Sequence, residues 1–226
     1  MQVARVKATV VVKATRVTSW ARRVQAESKL AVRKSKAKST AARYRIGVKR
    51  LIIREGSILV SHPVYAHKEK RNSIVYVTES TENSTIGITL NQPMTDMRSL
   101  MQQKNVDWSW DHPVFRGGDV NGNALIMLHS DEWYSSNTMT VGNNLAISSD
   151  GLMLEKLDMG NHPHWFKLVL GCRYWEPAEL GHCLKGKRPR WLLLPQPSND
   201  LICDKPERMW KHAVEECSQS VFDSYF

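Results

Sequence analysis

Acidic residues are almost missing from the first quarter of the chain, and that asymmetry limits what the whole can fold into. Residues 1–54 carry sixteen Lys and Arg against one acid, Glu27, for a net charge of +15. Residues 55–226 carry sixteen basic and twenty-one acidic side chains, for a net charge of −5. A segment so charged repels itself and holds too few apolar side chains to bury a core of its own. The overall +10 thus averages a basic arm, residues 1–50, and a mildly acidic body, residues 51–226. Of the 226 residues 42% are hydrophobic, enough for a packed core, and seven of the eight Trp lie in the body.

Within the arm, residues 9–12 are β-branched and favour strand, whereas Val3, Val6, Val10 and Val17 fall near helical spacing. Residues 1–17 are therefore ambiguous, and residues 19–44 read as a basic helix with Trp20, Val24 and Leu30 as sparse apolar anchors. Three roles stay open: a solvated tail, an Arg-rich organellar presequence, and an arm that binds phosphate backbone. For the last, the candidate contacts are Arg22, Arg23, Arg33, Lys34, Lys36, Lys38, Arg43, Arg45, Lys49 and Arg50. Trp20, Tyr44, Trp108 and Trp110 are candidate faces for stacking on bases. A smaller basic run, residues 185–190, can extend the footprint. With no helix-turn-helix, zinc-finger or ribonucleoprotein strand motif, contact is expected with phosphates rather than base edges.

From about residue 51, stretches of Val, Ile and Leu alternate with Gly, Pro, Asn and Asp, the texture of an α+β domain. Strands are expected over 57–61, 73–78, 86–91, 114–116, 124–128, 145–148, 166–171 and 190–195. Helices are expected over 96–103, 151–159, 177–184 and 205–225, with Thr95 or Asp96 capping the first and Asp150 the second. Gly87 inside an apolar strand signals close backbone approach, and Asn91-Gln92-Pro93 reads as a turn ending that strand. Gly117-Gly118-Asp119 can take positive φ, either as a tight turn or as an anion-binding nest. Trp175-Glu176-Pro177 reads as a strand-to-helix corner with its indole in the core.

Seven fragments in order resemble the AlgH/YqgE family, a bacterial family of poorly defined biochemistry. GSILVSHP (56–63) is similar to its opening strand and turn, and NSIVYVTES (72–80) to a segment that ends in Glu-His, with Ser80 for the His. IGITLNQP (86–93) resembles Gly-Leu-Val-Leu-Asn-Arg-Pro with Gln92 for Arg, and VFRGGDV (114–120) resembles Gly-Gly-Pro-Val with Asp119 for Pro. LHS (128–130) and SSD (148–150) follow. LGCRYWEPAEL (170–180) resembles a glycine-rich signature but carries Tyr174, Glu176 and Ala178 at glycine positions. The family-motif residues are Gly56, Pro63, Gly87, Asn91, Pro93, Gly117, Gly118, His129, Gly171, Trp175 and Pro177. The closing SQSVFDSYF is similar to the endings of copies carried by large tailed phages. The resemblance implies a link to transcriptional regulation.

The fold expected is α+β: a mixed, strongly bent or partly closed β-sheet with packed helices, preceded by a basic helical extension. No Walker A loop, nucleophile elbow, dinucleotide fingerprint or H-E-x-x-H helix occurs. Cys172, Cys183, Cys203 and Cys217 form no C-x-x-C pair, so reduced thiols in an intracellular setting are expected. His162, His164, His182 and Cys183 make the one local cluster that invites a metal, without a zinc template's spacing. His129, before Ser130-Asp131-Glu132, is the most plausible polar site residue. No catalytic residue, metal or cofactor is expected. No apolar run approaches the ~20 residues of a membrane span. The expectation is a non-enzymatic, regulator-like accessory protein, cytoplasmic or particle-associated, whose arm engages nucleic acid or a nucleoprotein assembly. The alternatives are a structural component of a phage virion or organellar particle, and a metal-dependent nuclease or hydrolase.

Overall fold

Apolar side chains at successive positions of the strands pack in different clusters, so the sheet is covered on both faces. The computed structural model describes residues 53–223. The proposed arm contacts from Arg22 to Arg50, with Trp20 and Tyr44, lie outside the described residues, as does the expected helix over 19–44.

In chain order the elements are β1 (Ile58–Ser61), a 3-10 turn (Lys68–Lys70), β2 (Ile74–Ser80), β3 (Thr85–Thr89), β4 (Pro93–Asp96) and α1 (Met97–Gln103). They continue with β5 (Pro113–Arg116), β6 (Val120–Ser130), β7 (Met139–Thr140), β8 (Leu145–Ser148) and α2 (Gly151–Asp158). The last are β9 (Phe166–Trp175), α3 (Pro177–Lys185), β10 (Trp191–Leu194), α4 (Asn199–Cys203) and α5 (Pro206–Asp223). The strand order is β10-β1-β2-β3-β9-β6-β8-β7, with β5 bridging β4 and β9. Only β5 and β9 run parallel, so this is a mixed, strongly bent sheet with helices on it, an α+β fold.

Sequence alternation decides which helix covers which face. Ile58, Val60, Ile74, Tyr76, Leu128 and Val169 point into one cluster, sealed by Leu201 and Ile202 of α4 and Met209, Ala213 and Cys217 of α5. The i, i+4, i+8 spacing of those last three makes one apolar stripe along α5. Leu59, Val75 and Val77 face the other way, against Trp175, Trp191 and Leu180 of α3. Met127, Leu168 and Val114 also face that way, under α1 and α2. Helix starts follow from polar caps: Asp96 accepts from Ser99 N–H at 2.6 Å, and Asp150 accepts from Met153 N–H at 2.7 Å. Each cap is worth about 1 kcal/mol.

Two strands outrun their sequence signals. The strand expected over 166–171 continues to Trp175, because Gly171 takes φ +75° and bends the chain instead of ending it. On one side of the bend, Leu168–Leu170 pair with β5 and β6; beyond it, Arg173–Trp175 pair with β3. The strand expected over 124–128 likewise begins at Val120, with irregular pairing before Leu125. Sequence reading misses β4, β7 and α4, which are short, and Pro93 opens β4 where a turn was expected.

Gly117 and Gly118 also correct an expectation. Neither has positive φ, and no nest forms, because Gly117 N–H donates to Leu170 O at 2.7 Å. They are glycines because the chain crosses β9 in backbone contact. A Cβ on Gly117 would sit 2.1 Å from Gly171 O, and one on Gly118 would sit 2.1 Å from Cys172 O. Gly171 completes the crossing, since its own Cβ would meet Gly118 O at 2.9 Å.

Two outcomes follow. Gly118→Ala should destabilise the protein by about 3 kcal/mol or more in urea unfolding, while Gly122→Ala, with open space around its Cβ, should stay within about 0.5 kcal/mol. Ile53 packs under the α3 side of the sheet and its carbonyl accepts from Ser80 Oγ at 3.0 Å. A protein of residues 53–226 should therefore remain soluble and unfold in one calorimetric transition; aggregation or a broad, non-cooperative melt would place the boundary elsewhere.

Candidate functional site

The motif residues can be followed one by one, and in the body they hold backbone. Gly56 N–H donates to Val77 O, and its carbonyl accepts from Asn143 Nδ2 at 2.8 Å. Pro63 follows His62, whose Nδ1 accepts from the N–H groups of Val64 and Tyr65. A Cβ on Gly87 would lie 2.8 Å from Tyr76 O, so β2 and β3 meet there without a side chain between them. Asn91 clamps the start of β2, accepting from Ile74 N–H at 3.0 Å and donating to Asn72 O at 2.7 Å. Gln92 Nε2 donates to Ser73 Oγ at 2.6 Å. Trp175 is buried edge-on to Trp191, and Pro177 occupies the first turn of α3.

His129 is the one motif residue with a proton to place. Its side chain is fully buried at the end of β6. Nδ1 lies 2.9 Å from Ser130 O, a carbonyl that can only accept, so the proton sits on Nδ1. Nε2 must then accept from Ser148 Oγ at 2.9 Å, and Ser148 Oγ accepts from Thr138 Oγ1 at 2.7 Å. Thr138 Oγ1 accepts in turn from Ser135 N–H at 2.6 Å. Beside this chain the Asp150 carboxylate accepts from Ser135, Ser136, Asn137 N–H and Met153 N–H, and those bonds hold it below the usual carboxylate range against the opposing effect of burial. Burial lowers the His129 pKa from 6.5, so the ring stays neutral at pH 7. A Ser hydroxyl donating to a neutral imidazole is nucleophile-like geometry, but Ser148 is itself 1% exposed, and the array joins the β6–β7 loop to the end of β8 and the start of α2.

Two charged side chains sit within the apolar strand β9. Lys167 is 7% exposed, its amine 5.0 Å from the Phe115 ring centroid and 3.5 Å from Met209 Sδ. Burial pushes its pKa down from 10.5 to about 8, opposed by the charges of Cys203, Asp204 and Glu207. Arg173, equally buried, donates from Nε to Thr89 Oγ1 at 2.9 Å. Its NH1 lies 3.8 Å from Asp119, whose other oxygen accepts from Arg116 at 2.7 Å. Sequence reading passed over both, although a cation inside a run of buried β-branched and Leu positions was a visible signal.

Other expectations meet different surroundings. Trp108 and Trp110 are not open stacking faces: Trp108 is buried in the core under α1 and α2, and Trp110 Nε1 donates to Leu157 O at 3.0 Å. His162 lies tilted against Phe166, whereas His182 and Cys183 lie on α3, and the four candidate metal ligands do not converge. Among the described residues, no group of three or more His, Cys, Asp or Glu is arranged to hold a metal ion. None of the helices described is long and apolar enough to cross a membrane. Lys185, at the end of α3, and Lys187, Arg188 and Arg190, between α3 and β10, stand exposed. A cleft of about 470 Å³ opens where the body begins, lined by Arg54, Glu55, Ser57, Asn143, Gln196 and Ser220 among others.

Lys167 offers a test by pH. Its folded pKa lies below the unfolded one, so the penalty is absent above 10.5 and complete below about 8. Lys167 should add stability between those values, against the loss from the Cys172 and Cys217 thiols that burial pushes from 9.0 to about 11, and Lys167→Met should remove the Lys167 share of the pH dependence. The variant should also melt about 3 °C or more above the wild type at pH 7, since Met fills the site without a charge.

Comparison with known proteins agrees with this geometry. The AlgH-like family model (DUF179) matches residues 58–221. A UPF0301 protein of Rickettsia akari is 27% identical over 147 residues, covering 63% of this chain and 77% of that protein. One from Methylococcus capsulatus is 23% identical over 165 residues, covering 71% and 89%. The solution structure of AlgH from Pseudomonas aeruginosa superposes with a TM-score of 0.61 at 21% identity, over 75% of this chain and 92% of that one. The crystal structure of DIP2367 from Corynebacterium diphtheriae gives 0.57 at 16% identity, over 74% and 88%. With a family match that covers most of the body and a fold shared with AlgH, the chain belongs to the AlgH-like family.

Proposed function

We propose that this AlgH-like protein is a non-enzymatic, regulator-like accessory protein that engages nucleic acid, or a nucleoprotein assembly, through its basic N-terminal residues. The carrying observation is the partition of charge, +15 over residues 1–54 against −5 over residues 55–226. Phosphates are drawn to the first part and mildly repelled by the second, so affinity concentrates in one segment. The body supports the reading in another way: its motif residues hold strand crossings, turns and helix starts, the properties of a scaffold that presents something else. Binding of this kind is sequence-tolerant, because cations that meet phosphates read no base edge.

If about six cations meet phosphates of duplex DNA, log K should fall with log salt at a slope of about −5. Reversing Arg22, Arg23, Arg33 and Lys34 to Glu in the full chain should weaken binding alike on unrelated duplexes, with no change in the thermal melt. Fluorescence anisotropy across a salt series checks both. Affinity that ignores salt, or that survives the four reversals, would refute the proposal.

A further inference from the structure

Three charged side chains meet where Gly117-Gly118 crosses β9. Arg173 is held from behind: its Nε–H donates to Thr89 Oγ1 at 2.9 Å, and Thr89 N–H donates to Gly117 O at 2.8 Å. The crossing lies directly over it, because a Cβ on Gly118 would come within 2.6 Å of Arg173 N. The guanidinium is therefore fixed before any ligand arrives. At 3.8 Å from Asp119 Oδ2, its NH1 is beyond hydrogen-bond length. Among the described residues, the terminal nitrogens of Arg173 donate to no protein acceptor. They touch solvent all the same, since Trp108 Nε1 is the only fully buried side-chain nitrogen or oxygen described that lacks a partner.

One carboxylate thus faces two guanidinium groups. Arg116 takes one oxygen of Asp119 at 2.7 Å and Arg173 stands off the other, which leaves one positive charge in excess. Arg116 and Asp119 are 59% and 57% exposed, so both can swing, while Arg173 at 7% cannot. The Arg173 pKa is drawn below its usual value by burial, raised by Asp119 and lowered again by Arg116, so Asp119 offsets the cost of burial only in part. Paired guanidinium groups with unused N–H donors match the oxygens of a tetrahedral oxyanion, and the second cation suits a doubly charged one.

We infer that Arg116, Asp119 and Arg173 form a phosphate-binding site in the body, with Asp119 occupying it in the free protein and moving aside when a phosphate group binds. The site is separate from residues 1–54 and stands or falls independently of them. Two sources supply the same chemistry: a small phosphorylated molecule, or a phosphate of a polynucleotide backbone.

The test follows the amide resonances of Gly118 and Arg173 and the Arg173 Nε–H resonance in the full chain. Inorganic phosphate is titrated at constant ionic strength against chloride, so that the basic arm contributes no local signal. Wild type should show saturable shifts in the millimolar range. Asp119→Asn should tighten binding about fivefold by removing the competing carboxylate, and Arg116→Gln should weaken it about fivefold. The expected gain in Asp119→Asn is an outcome that misfolding cannot mimic. Shifts equal to those in chloride, or equal affinity in wild type and Asp119→Asn, would overturn the site. A duplex oligonucleotide distinguishes the sources: movement of the same resonances, competed by inorganic phosphate, supports a backbone phosphate. Movement with inorganic phosphate alone supports a small phosphorylated ligand.

Discussion

Backbone contact between Gly117-Gly118 and Gly171-Cys172 is the constraint on which the rest of this fold depends. Side chains hold most sheets apart and give them their spacing, but here the peptide groups themselves touch. The contact lets β9 serve two sets of neighbours, with β5 and β6 before its bend and β3 after it. Without the bend at Gly171, the segment carrying α3 and β10 would not turn back to pair with β1. The same crossing sets the depth of Arg173 and the position of Asp119, so a backbone constraint and a charge arrangement share one origin. Two covered sheet faces hold the crossing in place.

Much of this was legible in the residues. Apolar runs at 58–60 and 74–77 between polar residues marked strands, and Asp150 and Pro177 marked helix starts. The glycine pair 117–118 was visible but misjudged, because sequence shows that a side chain is missing and not whether the need is for conformation or for space. The lengths of β6 and β9 were underestimated for a related reason: Asn121, Gly122 and Asn123 punctuate β6 and Gly171 punctuates β9, and that punctuation was taken for termination. Trp108 and Trp110 show the opposite limit. Aromatic rings suit stacking on bases and packing in cores equally well, and only tertiary context assigns them to α1 and α2.

The polar interior divides into parts that are fully answered and parts that are not. His129, Ser148, Thr138 and Asp150 form arrays in which every proton has a direction and every carboxylate oxygen an N–H or O–H donor. Such arrays specify one arrangement of a loop against a helix. Lys167 and Arg173 differ, since each is a cation in an apolar strand with an incomplete set of acceptors. A core optimised for stability alone would replace both. Their presence on one strand, to either side of its bend, gives β9 an electrostatic character that its hydrogen-bond pairing does not need.

The pairing order of the strands also bears on how the chain is made. The first strand, β1, finds its outer neighbour only at Trp191–Leu194, and β3 and β5 both wait for β9. These are contacts between residues tens to more than a hundred positions apart, the kind that slow folding. A nascent chain that has emerged only to residue 160 holds β2 and β3 paired, yet lacks the strand that unites the two halves of the sheet. With only α1 and α2 made, the apolar surfaces that α3, α4 and α5 later cover are still open, the condition in which partly made chains associate wrongly. Synthesis of the final third, with α3, α4 and α5, closes both faces at nearly the same time. The body is thus poised to fold late and all at once, after most of it has left the ribosome.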